Sequence, residues 1–271
     1  MHFRRALAVA TTLSGWSATP AVSQPVLTGN VAVSSAYVWR GVTNTNRPVL
    51  QPDLSLGVPL RDATITAGVW ASVEPARYDG SSDISAVYGL LPGPAFTQYS
   101  AWIEYGRAVA GADLAVGATA YTYPAVANLA ADYNTIEVYA SLTLPAPLMP
   151  RLAAWYDVAA VRGAYVETSL THDVSIREVP VSLGVVAGLS AGQGPDAATH
   201  RQSYFARDGV THVDLSATTA FQSLGLTISP TLHLIRAFDA MARVTTPLVS
   251  RSTKIWLGAT LSWTSDKGDS P

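Results

Sequence analysis

Ionisable residues recur singly along this chain, each set in a stretch where apolar residues alternate with small ones and each on the small-residue parity. They are Arg40, Asp53, Glu104, Glu137, Arg151, Asp157, Glu167, Asp173 and Asp214, with His212 and His233. On an extended strand successive side chains point to opposite faces, so all of these share a face with Gly, Ser and Thr. Charges on such a face either pair across neighbouring strands or line a wet channel and bias which ions pass. Pairing is the expected resting state, because a buried charge without a partner carries a desolvation cost. Arg40, directly after Trp39 and before Gly41, is expected at a mouth, paired with an inward carboxylate.

Nucleophilic chemistry asks for a base beside a hydroxyl, and a His-x-Ser step along one strand would supply it. The sequence has no His-x-Ser. His172, His200, His212 and His233 are scattered, and Thr171-His172-Asp173 alternates faces, so a Ser-His-Asp set would need meetings across strands. Metal-ligand spacings and phosphate-binding loops are absent as well. The expectation is no catalytic residue, no metal and no cofactor.

The elements that must position these charges are short alternating segments bounded by Gly, Pro, Asp or Asn. Twelve are expected: 27–39, 49–58, 64–73, 99–109, 114–123, 133–144, 151–160, 165–174, 179–189, 211–221, 224–234 and 253–263. In the eleventh, Leu224, Leu226, Ile228, Leu232 and Leu234 oppose Thr227, Ser229, Thr231 and His233. Short and long connections alternate, as in barrels with short periplasmic turns and long external loops. Ile84 to Leu91 could make a thirteenth strand, but an odd count would put one terminus on the wrong side, so it is assigned to a folded hairpin or constriction inside the second external loop. The fold class expected is all-β: a transmembrane antiparallel up-and-down β-barrel of twelve strands.

Composition agrees with that fold. Of 271 residues only 13% are charged, against roughly a quarter in soluble domains, too few to coat a water-facing surface. A net charge of -2 and only two lysines, Lys254 and Lys267, give no basic field for nucleic acid. No cysteine is present, which suits passage through an oxidising envelope. Arg4 and Arg5, the apolar run Ala6 to Trp16 and the small-x-small site Ala21-Val22-Ser23 read as an export signal over 1–23, leaving 24–271 as one barrel domain.

Aromatic residues near segment ends read as interfacial girdles, with Tyr37, Trp39, Tyr105 and Trp263 as the candidates. The last segment carries Gly258-x-x-Leu261-x-Trp263, which is similar to the C-terminal signal read by outer-membrane assembly machinery.

The stretches SSAYVWRGVTNTNRPVLQPDLSLGV (34–58), AGVWAS (67–72) and YTYP (121–124) resemble the TorF-type porin family of proteobacterial outer-membrane proteins. That resemblance implies a barrel in the bacterial outer membrane. The combined expectation is a porin-like channel for passive diffusion of small hydrophilic solutes, with outer-membrane lipid, assembly machinery and small solutes as partners. A closed barrel with a structural, adhesive or receptor role is the second reading, and an outer-membrane enzyme the third.

Overall fold

The computed structural model describes residues 24–75, 95–124, 134–195, 198, 202–240 and 252–265. Its strands in chain order are β1 (Val26–Ser34), β2 (Tyr37–Trp39), β3 (Val42–Thr45), β4 (Val49–Pro59), β5 (Ala63–Glu74), β6 (Ala95–Val109), β7 (Ala112–Thr122) and β8 (Thr135–Thr143). They continue with β9 (Arg151–Asp157), β10 (Ala164–Ile176), β11 (Val179–Ala191), β12 (Gly209–Thr219), β13 (Phe221–Ser223), β14 (Leu226–Ala237) and β15 (Thr253–Thr264).

Twelve of these make one antiparallel barrel. Neighbours in sequence pair around the wall from β4 to β12, β12 pairs with β14, β14 with β15, and β15 with β1, which closes on β4. Closure leaves no edge strand, the condition under which strands can cross a bilayer. No described helix is long and apolar enough to cross a membrane.

Packing is inverted relative to a soluble protein. Val31, Leu54, Val69, Ile103, Val138, Leu152, Leu215, Leu232 and Leu257 are exposed on the outside. Ser72, Gln98, Glu137, Asp157 and Thr211 are buried within. A continuous apolar outer surface of this extent would drive association in water and is stable only against lipid. On β14 the expected parity appears: Ile228, Leu232 and Leu234 are exposed, and Thr227, Ser229, Thr231 and His233 lie on the other face. Leu224 precedes the strand in the turn, with φ 53°. In a bilayer, Ile228→Arg is expected to cost about 2–4 kcal/mol near mid-membrane, with Ser229→Arg much better tolerated. Heat-modifiable electrophoretic mobility of the refolded variants measures the difference, and equal tolerance would show the register to be wrong.

Two expectations about the elements need correction or restriction. The segment 27–39 is not one strand: β1 stops at Ser34, where Ser35 N donates to Leu257 O at 2.8 Å and Ser35 Oγ accepts from Leu257 N at 3.0 Å, ending the ladder. Beyond it the chain leaves the wall, and β2 and β3 form a separate two-stranded hairpin. Residues 84–91, Tyr133, the export signal 1–23 and the tail after Ser265 lie outside the described residues.

Candidate functional site

The hairpin β2–β3 turns on Arg40 and Gly41, with Trp39 opposite Val42. Both turn residues have positive φ, 50° and 85°, as a two-residue turn matching strand twist requires. Glycine adopts that backbone freely, whereas an arginine there is strained by about 1–3 kcal/mol and persists only where its surroundings fix it.

The surroundings of Arg40 do so. Its Nη1 and Nη2 donate to Glu137 Oε1 and Oε2 at 2.6 and 2.7 Å, a bidentate pair in which the side chains are 6% and 0% exposed. The guanidinium carbon lies 4.3, 5.0 and 4.4 Å from the ring centres of Trp39, Trp155 and Tyr165. Tyr121 donates a third bond to Glu137 at 3.0 Å. Glu137 stands on β8, and β4, β5, β6 and β7 intervene between it and β1, so the hairpin reaches across the lumen to the far wall.

Other hairpin contacts run around that wall. Tyr37 donates to Gln98 Oε1 on β6 at 3.0 Å and packs at 5.7 Å against Trp70 on β5. Trp39 meets Tyr121 on β7 and Tyr204 edge-on at 6.4 and 5.3 Å. A Cβ at Gly41 would run into the side chain of His212 on β12. Gly41→Val is therefore expected to unseat the hairpin, lowering the unfolding free energy by about 1–3 kcal/mol in a denaturant titration.

The segment after β11 completes the plug. Phe205 is fully buried and stacks on Tyr165 at 6.1 Å, in a cluster with Val42 and Ala237. Tyr204 donates to Asp157 Oδ2 at 3.2 Å. Burial is the main cause raising the pKa of the Tyr204 phenol, and burial likewise raises that of Tyr37, so both hydroxyls stay protonated donors. Asp239 accepts from Ala206 N at 3.0 Å and Arg207 N at 3.3 Å, tying this segment to the end of β14.

The remaining inward charges have partners of two kinds. Glu167 faces Arg151 at 3.7 Å and accepts from Tyr165 at 3.3 Å. Asp157 accepts from Thr135 Oγ1 at 2.7 Å and from the backbone N of Ala159, Val161 and Arg162, fixing the β9–β10 connection. Asp53 accepts from Asn30 at 3.0 Å, Glu104 from Tyr139 at 2.9 Å, and Asp214 meets His233 Nδ1 at 2.8 Å. Asp173 is exposed near the short-turn end of β10.

Of the girdle candidates, Tyr105 and Trp263 are exposed on the outer face, Trp263 with its ring over Gly29. Tyr37 and Trp39 are corrected: they belong to the plug, because the chain turns inward before them. Sequence reasoning also missed Tyr204 and Phe205, which lie in no alternating segment. The hairpin had a local signal, a residue-Gly pair flanked by Trp39 and Val42.

Among the described residues, the cross-strand meeting of a histidine and a carboxylate that a catalytic set would need occurs once, between His233 on β14 and Asp214 on β12. Ser216 pairs opposite His233, but its hydroxyl is the atom that a Cβ at Gly184 would meet, on the side away from β14. Among the described residues no group of three or more His, Asp or Glu could hold a metal ion.

Closed strands, an apolar exterior and a polar, charge-bearing interior define a twelve-stranded barrel of the outer-membrane type. The chain belongs to the Gcw_chp family, described as a bacterial protein of unknown function, which matches residues 18–184. A comparison with curated proteins finds no match. Among solved structures it is similar to an outer membrane channel from Pseudomonas putida F1, at 12% identity over 94% of this chain and 100% of that one, with a TM-score of 0.50. It is also similar to LpxR from Salmonella typhimurium, at 9% identity over 88% and 99% of the two chains with a TM-score of 0.47. A third is the KdgM porin in complex with disordered oligogalacturonate, at 6% identity over 88% and 98% with a TM-score of 0.41. At 12% identity the likeness to the Pseudomonas putida channel speaks to fold alone.

Proposed function

We propose that the protein is a channel of the bacterial outer membrane for passive diffusion of small hydrophilic solutes, with the β2–β3 hairpin as its constriction. One observation carries this reading. The short-turn half of the lumen is lined by small side chains such as Ser55, Thr66, Gly106, Thr171, Ser182 and Ser229. Arg151, at the short-turn end of β9, and Glu167 on β10 face inward and remain 34% and 22% exposed. About eight strands enclose just enough space for side chains to fill, so twelve lined by small residues leave a wet vestibule. The resemblance of residues 34–58, 67–72 and 121–124 to TorF-type porins supports the same role. Outward Ile255, Leu257, Leu261 and Trp263 on β15 fit recognition by assembly machinery during insertion. We propose no enzymatic role: among the described residues the hydroxyl beside an imidazole is that of Thr211, 3.0 Å from His212 Nδ1, whereas the carboxylate beside one is that of Asp214 on His233, so hydroxyl, base and acid do not form one relay.

The second reading, a closed barrel with a structural or receptor role, is favoured by the burial of the Arg40–Glu137 pair. Planar-bilayer recording on the refolded mature chain separates the two. Stepwise currents through the wild type support the channel; a silent wild type and a silent hairpin-replaced variant support the closed barrel.

A further inference from the structure

Resting on the channel reading, the partners of the lumenal charges identify the class of solute that passes. Asp53, Glu104 and Asp214 stand on separate parts of the wall, on β4, β6 and β12. Each is held by a neutral donor or a ring that is charged only when protonated: Asn30 at 3.0 Å, Tyr139 at 2.9 Å and His233 at 2.8 Å. Arg40 and Arg151 are engaged elsewhere, with Glu137 and Glu167. These three carboxylates accept hydrogen bonds from groups other than arginine or lysine, and Lys254, inward on β15 at the level of Asp214, adds one positive charge to a lumen in which inward carboxylates are the more numerous.

Asp214 shows a further feature. Its Oδ1 is buried and accepts no hydrogen bond among the described residues, although the side chain as a whole is 15% exposed. Next to it, His233 lies flat on Trp256 at 3.8 Å and 4°, and the Trp256 Nε1 donates no hydrogen bond either. The stack leaves Asp214 one oxygen fixed by the imidazole and one oxygen without a donor. Asp214, 15% exposed at the lumen wall, acts on passing ions through the field of its carboxylate, which attracts cations and repels anions without direct contact at the buried oxygen.

We propose that the lumen passes small cations in preference to anions, and that Asp214, aided by Asp53 and Glu104, sets the preference. Carboxylates spaced around a narrow water-filled tube with low-dielectric walls concentrate cations well above their bulk level. The arrangement differs from a binding site for one ion, since the three groups sit on different parts of the wall and act through their common field.

Two measurements at pH 8, where an ordinary imidazole is neutral, test this. The first is the reversal potential of the refolded wild type in a potassium chloride gradient. Potassium is expected to be favoured, Asp214→Asn to lower the potassium-to-chloride ratio by about twofold, and the triple variant Asp53→Asn, Glu104→Gln, Asp214→Asn to bring it near unity. The second is quenching of tryptophan fluorescence by caesium and by iodide in detergent, which needs no current. With each quencher normalised to its effect on free N-acetyltryptophanamide, caesium is expected to quench the wild type more than iodide does, with the excess reduced in Asp214→Asn beside Trp256. Heat-modifiable mobility confirms that each variant is folded. A conducting wild type that favours chloride, or a ratio unmoved by the triple variant, overturns the proposal while leaving the channel intact. A silent wild type counts against the channel reading, and quenching then decides alone: equal caesium and iodide effects in wild type and Asp214→Asn overturn the cation preference.

Discussion

Arg40→Ala is expected to lower the unfolding free energy of the barrel by about 3–5 kcal/mol, the range for removing one member of a buried ion pair. The cause is what the substitution leaves behind. Glu137 is fully buried and would keep Tyr121 as a donor but lose both guanidinium bonds, at 2.6 and 2.7 Å. The rings of Trp39, Trp155 and Tyr165 would lose the cation lying within 5.0 Å of each centre. Arg40→Ala combined with Glu137→Ala is expected to recover much of the loss, because the uncompensated charge goes with it. Urea unfolding in lipid vesicles, run as a double-mutant cycle, gives the coupling directly. Independent, additive effects of the two substitutions would show that the pair does not hold the plug.

The same pair shows what can and cannot be read from a sequence of this kind. Strand existence and facing are local properties. Leu232 and Leu234 outward against Thr231 and His233 inward follow from period 2 alone, and so does the inward placement of Asp53, Glu104 and Glu137. Partner choice is not local: Arg40 and Glu137 are 97 residues apart, and their meeting depends on a hairpin crossing the lumen. Parity said that Arg40 faces inward; it did not say towards which wall.

Alternation also misled where the chain left the wall. Val31, Val33, Tyr37 and Trp39 keep one parity in the sequence, and nothing in period 2 records that the ladder ends at Ser34. An aromatic near a strand end fits a membrane interface and a lumenal plug equally well on composition. The structure separates them: Trp263 and Tyr105 meet the outside, whereas Tyr37 and Trp39 meet Gln98, Tyr121 and Tyr204. Tyr204 and Phe205 had no periodic context at all, so their burial follows only from tertiary packing.

Replacing Tyr37 to Thr45 by a glycine-serine segment of equal length is expected to raise single-channel conductance severalfold. The barrel wall does not need the hairpin for its own pairing: β1 and β4 stay in register from Ser34–Val49 to Val26–Gly57, and β15 pairs β1 independently. Stability should fall, since the aromatic contacts of Tyr37 and Trp39 and the Arg40 pair are lost together, yet a closed hydrogen-bonded wall is retained. Removing Arg40 with its hairpin also leaves Glu137 as a further lumenal carboxylate without its arginine, so the reversal potential should move further toward the cation limit. Conductance and selectivity thus change in linked directions for separate reasons, the first steric and the second electrostatic. A variant that folds, by heat-modifiable mobility, yet conducts no better than the wild type would show that the hairpin is not the narrowest point. A larger current without a shift in reversal potential would keep the hairpin as the obstruction and show that Arg40 does not offset the lumenal carboxylates.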